Sequence, residues 1–265
     1  MQGKVVVITG GNGTLGSAFA RGMAENGATV FILGRDAAKS KKVVDQLKNQ
    51  GVQIHSLTCD VLNEQAVEHT VETIMEKTGK IDILINAAGG NRTGATVTPE
   101  QSFTELSIDQ FKQVTDLNLL GTVIPSMAFS KPMIKAGKGC IINISSMAAQ
   151  LPLTRVVGYS ASKAAVDNFT RWMAIEFATK YGEGIRVNAI APGFFIAEQN
   201  KRLLLNDDGS LTARGQTIID QTPANRFGRP EELMSTLLWL CDDNSSFVNG
   251  VVIPVDGGFS AFSGV

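Results

Sequence analysis

Metal and disulfide chemistry have little to work with in this chain, which holds 3 cysteines and 2 histidines in 265 residues. Cys59, Cys140 and Cys241 form an odd set with no ligand spacing, so free buried thiols in a reducing compartment are expected, and no metal. Charge of one sign is missing too. The formal net charge is −1, with acids and bases interspersed, which gives a polyanion nothing to grip and excludes nucleic acid as an expected partner. No apolar run approaches the ~18 residues of a membrane span. Met1-Gln2-Gly3-Lys4 leads into a strand-like run rather than a signal peptide, so the expected location is cytoplasmic. Repeats, linkers and low-complexity stretches are also lacking. What remains, 43% hydrophobic residues over this length, suits one α/β domain spanning 1–265.

Strand-like runs alternate with helical patterns throughout. Val5-Val6-Val7-Ile8 is β-branched without polar alternation, as in a strand covered on both faces. Thr9-Gly10-Gly11-Asn12-Gly13-Thr14-Leu15-Gly16 follows, and Leu15, Phe19 and Met23 then recur at helical spacing. A strand, a glycine-rich turn and a helix put free N–H groups where a pyrophosphate can sit, with an ordinary tight turn as the plain alternative. Further strands are expected at 29–33, 52–58, 81–85, 140–144, 184–190 and 251–255, and helices at 40–50, 64–77, 108–117, 157–181 and 230–240. Seven strands in this alternation predict a Rossmann-like, doubly wound parallel sheet with helices on both faces. Pro125 and Pro132 are expected to kink or restart their helix. The charged, partly helical stretch 194–222 is expected to be a substrate lid, with an oligomer-contact arm as the alternative.

The helix expected over 157–181 puts Tyr159 and Lys163 on one face. Bringing a phenol from a pKa of about 10 to about 7 takes about 4 kcal/mol of preferential phenolate stabilisation, and a neighbouring ammonium supplies stabilisation of that kind. Ser146 follows the 140–144 run, where its hydroxyl can bond the carbonyl oxygen that Tyr159 protonates. Taken alone, this tyrosine–lysine spacing is more often a solvated helix pair. With Asn118 upstream, however, the Ser146, Tyr159 and Lys163 set resembles the catalytic tetrad of the short-chain dehydrogenases/reductases, and the resemblance covers nearly the whole chain.

That resemblance implies hydride transfer with NAD(P) and a homotetramer. It implies Tyr159 as proton donor, Ser146 as the group steadying the oxyanion, and Lys163 as the cation that lowers the tyrosine's pKa and binds the nicotinamide ribose. Asn118 is implied to distort its helix and hold a water connected to Lys163. The implied cofactor contacts are Gly10, Asn12, Thr14, Leu15 and Gly16, then Asp60 and Val61, the turn Asn86-Ala87-Ala88-Gly89, and Pro192-Gly193, together with Tyr159 and Lys163. Two positions depart from the family pattern: Thr14 replaces the middle glycine of T-G-x-x-x-G-x-G, and Ala87 replaces the second Asn of N-N-A-G. Asn86 is expected to tie neighbouring strands together. Gly34 stands where NAD-preferring members place an aspartate and Arg35 follows it, which favours NADP(H) over NAD(H), while Asp36 can cap the next helix.

Within the family, the segments 153–159, 192–195 and 254–265 look like those of D-mannonate oxidoreductases, also called fructuronate reductases. Gluconate 5-dehydrogenases are near neighbours, and a 3-oxoacyl-carrier-protein reductase is a rival. A non-catalytic NADP-sensing regulator is the rival outside enzymes, although a sensor has no need of the whole tetrad. Arg92 and Arg155 lie on connections expected to open toward the active-site mouth, where a guanidinium can grip a carboxylate with two prongs. With Ser146 and Tyr159 they make up the expected substrate contacts, and Lys201, Arg202 and Arg214 add a positive field. The expected substrate is a small sugar acid. Surface solubility is the plain reading of each arginine alone.

Overall fold

A computed structural model of the chain describes residues 1–49, 51–197 and 200–264. Seven parallel strands lie in the order β3-β2-β1-β4-β5-β6-β7. They are β1 (Val5–Thr9), β2 (Thr29–Gly34), β3 (Ile54–Thr58), β4 (Ile83–Asn86), β5 (Gly139–Ile144), β6 (Ile185–Pro192) and β7 (Val252–Val255). The order reverses between β1 and β4, which opens a crevice at their carboxyl ends, the place where such sheets bind ligands.

Alternation along the strands sends side chains to two separate cores. Val6 and Ile8 pack with Phe19 and Met23 of α1 (Thr14–Glu25), Val44 and Leu47 of α2 (Ala37–Lys48), and Leu237 and Leu240 of α9 (Met234–Cys241). Val5 and Val7 face Val67 and Ile74 of α3 (Glu64–Thr78), Phe129 and Met133 of α5 (Gly121–Ala136), and Met173 and Phe177 of α6 (Val157–Tyr181). Fully burying one such Phe or Met contributes about 1.5–3 kcal/mol. The chain also holds α4 (Ile108–Thr115), α7 (Lys201–Leu204) and α8 (Ala213–Asp220).

Several expectations are corrected here. The α2 helix starts at Ala37, three residues early, because the Asp36 side chain accepts the Lys39 N–H at 2.9 Å and caps it. Its expected end at Gln50, the residues 198–199 of the expected lid, and Val265 of the tail lie outside the described residues. Pro125 and Pro132 do not restart the helix, since α5 runs unbroken through both. Pro125, Ser126, Ala128, Phe129 and Met133 are all buried, so tertiary packing overrides the local preference. The helix expected at 230 begins as a 3₁₀ turn, Pro230–Leu233, before α9 takes over. The free, buried cysteines are as expected. No described helix is long and apolar enough to cross a membrane.

Candidate active site

The glycine-rich loop sits where β1 ends. Gly13 is the extended N-cap of α1 and offers no side-chain cap, whereas Asp36 and Asn63 cap α2 and α3. The first-turn N–H groups of α1 are thus left for an anion, with the positive end of the helix dipole behind them. A Cβ on Gly16 would lie 2.2 Å from the Gly10 carbonyl oxygen, so only glycine lets the helix come this close to the loop. Thr14 is already the first helical residue, and the Gly13 N–H closes the turn onto the Gly10 carbonyl at 2.9 Å, so the missing glycine costs the loop nothing. This backbone cradle fits a dinucleotide pyrophosphate.

Around it, the expected cofactor residues divide into two groups. The Asn12 amide is structural: it donates to Ser40 Oγ at 2.9 Å and to the Asp36 carbonyl at 3.3 Å. It also fills the space beside Gly34, where a Cβ would lie 2.4 Å from its Nδ2, so a side chain there would have to displace the Asn12 amide. Arg35 is exposed and Asp36 is engaged as a cap. Asp60 Oδ1 accepts the Leu62 N–H at 3.1 Å, and Val61 beside it is buried. Asn86 ties the strands as expected, donating to Asn143 Oδ1 and Ser126 Oγ at 2.9 Å each. Thr9 Oγ1 receives the N–H groups of both Ala87 and Ala88 at 3.1 Å, joining the β4 turn to the end of β1. Gly193 N–H meets the Val255 carbonyl at 3.0 Å, which fixes the Pro192-Gly193 turn.

The tetrad converges on the end of β5. Lys163 is only 4% exposed, and its Nζ donates to the Ile144 carbonyl at 2.7 Å, 5.7 Å from the Tyr159 ring centre. Burial holds its pKa down at about 8, against the pull of Asp167. Ser146 Oγ accepts the Ala148 N–H at 3.2 Å, and its hydroxyl acts to lower the pKa of the Tyr159 phenol. The expectation that Lys163 lowers the tyrosine's pKa is not met in this structure. Burial pushes the Tyr159 phenol up, the Ser146 hydroxyl opposes this, and the ammonium is directed at Ile144 instead.

Asn118 distorts its helix as expected. Residues Asp116–Leu120 form a π turn, and the Asn118 Nδ2 takes the Val114 carbonyl at 2.8 Å, the acceptor its own N–H would use in a regular helix. The same amide pairs with Gly90, accepting its N–H at 3.0 Å and donating to its carbonyl at 2.7 Å. A Cβ on Gly89 would lie 2.7 Å from Asn118 Oδ1, too close, and 3.3 Å from Lys163 Nζ, a tight contact.

Of the two substrate arginines, Arg155 lines the cavity beside the 152–155 loop and Arg92 does not. A space of about 440 Å³ lies between the 152–155 loop and α8, lined by Leu153, Arg155, Phe194, Arg214, Ile218 and Phe259 among others. Arg155 has φ 76°, a left-handed backbone that is costly for a residue with a side chain, and its carbonyl accepts the Val97 N–H at 3.0 Å. Arg214 donates to Thr154 Oγ1 at 3.2 Å and to the Thr154 carbonyl at 3.3 Å. Burial and the charge of Arg155 both lower its pKa. Neither arginine has an ion-pair partner among the described residues. Arg92 does not line this cavity; its Nη1 donates to Gln113 Oε1 at 2.5 Å. Sequence reasoning missed Asp167, which lies one turn beyond Lys163 and carries the only carboxylate among the described buried residues of α6.

Comparison with known proteins agrees with this geometry. A model of the short chain dehydrogenase family matches residues 4–207. An uncharacterised oxidoreductase of Bacillus subtilis, UxuB, is 46% identical, covering 100% of this chain and 98% of that one. A Haemophilus influenzae crystal structure with bound NAD, provisionally described as a D-mannonate oxidoreductase, superposes with a TM-score of 0.94 at 40% identity, over 100% of this chain and 98% of that one. A gluconate 5-dehydrogenase from Burkholderia cenocepacia, in complex with NADP and tartrate, gives a TM-score of 0.88 at 32% identity, over 99% and 97%. The chain thus belongs to the short-chain dehydrogenase family, NAD(P)-dependent oxidoreductases acting on CH–OH groups.

Proposed function

We propose that the protein interconverts a sugar-acid hydroxyl and the corresponding ketone, with D-mannonate and D-fructuronate as the pair. The observation that carries this reading is the pair Arg155 and Arg214, which line one cavity without a described acidic partner, Arg155 standing four residues before Tyr159. Two partly desolvated guanidiniums repel each other, and a carboxylate between them relieves the repulsion while making charge-assisted bonds. The strained Arg155 backbone fits a residue held for function rather than for stability.

Bound nicotinamide supplies or accepts the hydride at the substrate carbon. In the reducing direction Tyr159 Oη donates the proton to the carbonyl oxygen, and the Ser146 hydroxyl bonds the same oxygen as charge develops on it. A phenol whose pKa is raised by burial stays protonated at neutral pH, ready to donate. Lys163 holds a positive charge beside the ring and is read as the donor to the ribose hydroxyls, and Asn118 pairs with Gly90 in the turn beside it. NADP(H) is favoured over NAD(H), because Gly34 brings no carboxylate to that strand end and the exposed Arg35 follows it to meet a 2′-phosphate. Segment 194–222, which contributes Phe194, Arg214 and Ile218 to the cavity, serves as a lid. Met127, Trp172 and Ile175 stand 65%, 56% and 68% exposed on α5 and α6, and such an apolar face supports assembly into a cytoplasmic homotetramer.

The test is a substrate panel with NADPH and NADH: keto-uronates, 5-keto-gluconate, neutral ketoses and a 3-oxoacyl thioester. The highest kcat/KM is expected with a keto-uronate. A faster thioester contradicts the assignment, and nucleotide binding without any turnover points to a sensor.

A further inference from the structure

We propose that Asp167 is a positioning residue of the active site, clamping through Ser145 the strand end that leads into Ser146 and holding the charge on Lys163. The inference rests on the reading of Ser146, Tyr159 and Lys163 as the reacting set, and it is independent of the substrate.

Asp167 is only 4% exposed, one helical turn beyond Lys163 on α6. The Ser145 hydroxyl donates to its Oδ1. Ser145 directly precedes Ser146, which begins the short turn 146–149. From the same helix face, Lys163 Nζ holds the Ile144 carbonyl at 2.7 Å, and the Ser145 N–H is fixed to the Ile190 carbonyl of β6 at 2.8 Å. Residues 144 and 145 are therefore both pinned, and Ser146 follows directly on them. A buried carboxylate is a costly way to fill a core, and an apolar residue would pack α6 more cheaply. Its place beside Ser145 and Lys163 in the α6 interior argues for a task beyond packing.

The second half of the inference concerns charge. Facing Asp167 are Lys163 and Arg171 from α6, Ser145 from β5 and Gln150 from the turn after Ser146. Facing Lys163 are Asp167 and Tyr159 from its own helix, the Ile144 carbonyl from β5, and Asn118 with Gly89 from the neighbouring segments. Asp167 is the only carboxylate in that set, and it raises a lysine pKa that burial lowers to about 8. Removing its charge lets the ammonium lose its proton at a lower pH.

Two substitutions separate the two effects. Asp167→Asn keeps the size and an acceptor oxygen for Ser145 but removes the charge. Its kcat for reduction should fall on the order of tenfold. The alkaline limb of its kcat–pH profile should move to lower pH by about one unit. Ser145→Ala keeps the charge and removes the clamp, so kcat should fall while the limb stays in place and the KM for the nicotinamide cofactor is little changed. A merely structural carboxylate gives another pattern: both variants melt earlier, yet kcat per folded enzyme and the limb match wild type. That pattern overturns the proposal. Should Asp167→Asn fail to fold, Ser145→Ala decides: unchanged kcat overturns the clamp, and lowered kcat at unchanged cofactor KM supports it. Normal turnover by Tyr159→Phe would sink the reading of the reacting set itself, whereas a normal Asp167→Asn beside an inactive Tyr159→Phe overturns this inference alone.

Discussion

Replacing Lys163 by methionine should reveal how much stability the active site gives up for its buried cation. The lysine is 4% exposed, and burial holds its pKa at about 8 rather than 10.5. A shift of that size corresponds to about 3 kcal/mol of penalty on the charged form, at 1.36 kcal/mol per unit. The folded-state value is the depressed one. Between about pH 8 and 10.5 the unfolded chain keeps a proton that the folded chain has lost, so this group's contribution to stability rises with pH across that window. Below about pH 8 both states are protonated and the full penalty applies. Methionine has a similar stem and no proton to lose, so subtracting the variant's curve from the wild type's cancels the other titrating groups. Urea unfolding at one fixed protein concentration, at pH 7, 8, 9 and 9.5, measures that difference. Between pH 7 and 9.5 the wild type should gain about 2 kcal/mol on the variant. Parallel curves would mean that Lys163 is not desolvated as the structure has it. The variant should also be nearly inactive at every pH.

Tyr159→Phe removes the transferable proton and keeps the ring, so turnover should fall by orders of magnitude with cofactor binding little changed, as read by steady-state kinetics and cofactor titration. Arg35→Ala should weaken NADPH more than NADH in binding titrations, because only NADPH offers a 2′-phosphate for charge-assisted bonding. An equal loss for both would contradict the NADP preference. Arg214→Ala should raise the KM for a keto-uronate while Arg92→Ala, whose guanidinium is held by Gln113, changes it little. The reverse ranking would return the carboxylate site to the 92 region.

Most of the strand and helix pattern was legible because buried parallel strands advertise themselves. Runs such as 5–8 and 140–144 are apolar or β-branched throughout, and α6 was readable to the residue from its apolar spacing. The misplaced elements each depended on something outside the local pattern. An Asp36 cap moved the start of α2, and burial of the helix that carries Pro125 and Pro132 outweighed two prolines. Within the site, Tyr159 and Lys163 could be paired by helical spacing alone. What stayed hidden was direction. Nothing in the sequence told that Lys163 would turn to Ile144, that Asn12 would fill the space at Gly34, or that Arg214 rather than Arg92 would share a cavity with Arg155. Each is a contact between residues distant in sequence, set by how the elements pack. Asp167 did leave a signal, a carboxylate at helical spacing from Lys163 on a face that had to be buried.

Selectivity between an acid and its neutral counterpart tests the central claim most directly. The measurement is kcat/KM with NADPH for D-fructuronate against D-fructose, in wild type and in Arg155→Ala. A carboxylate–arginine bond contributes about 1.5–3 kcal/mol, or roughly 10- to 150-fold in binding. The wild type should favour the acid by at least that factor, and Arg155→Ala should lose it through KM while its rate with fructose stays near wild type. Equal wild-type activity on the two sugars, or an Arg155→Ala loss that is the same for both, would contradict the account.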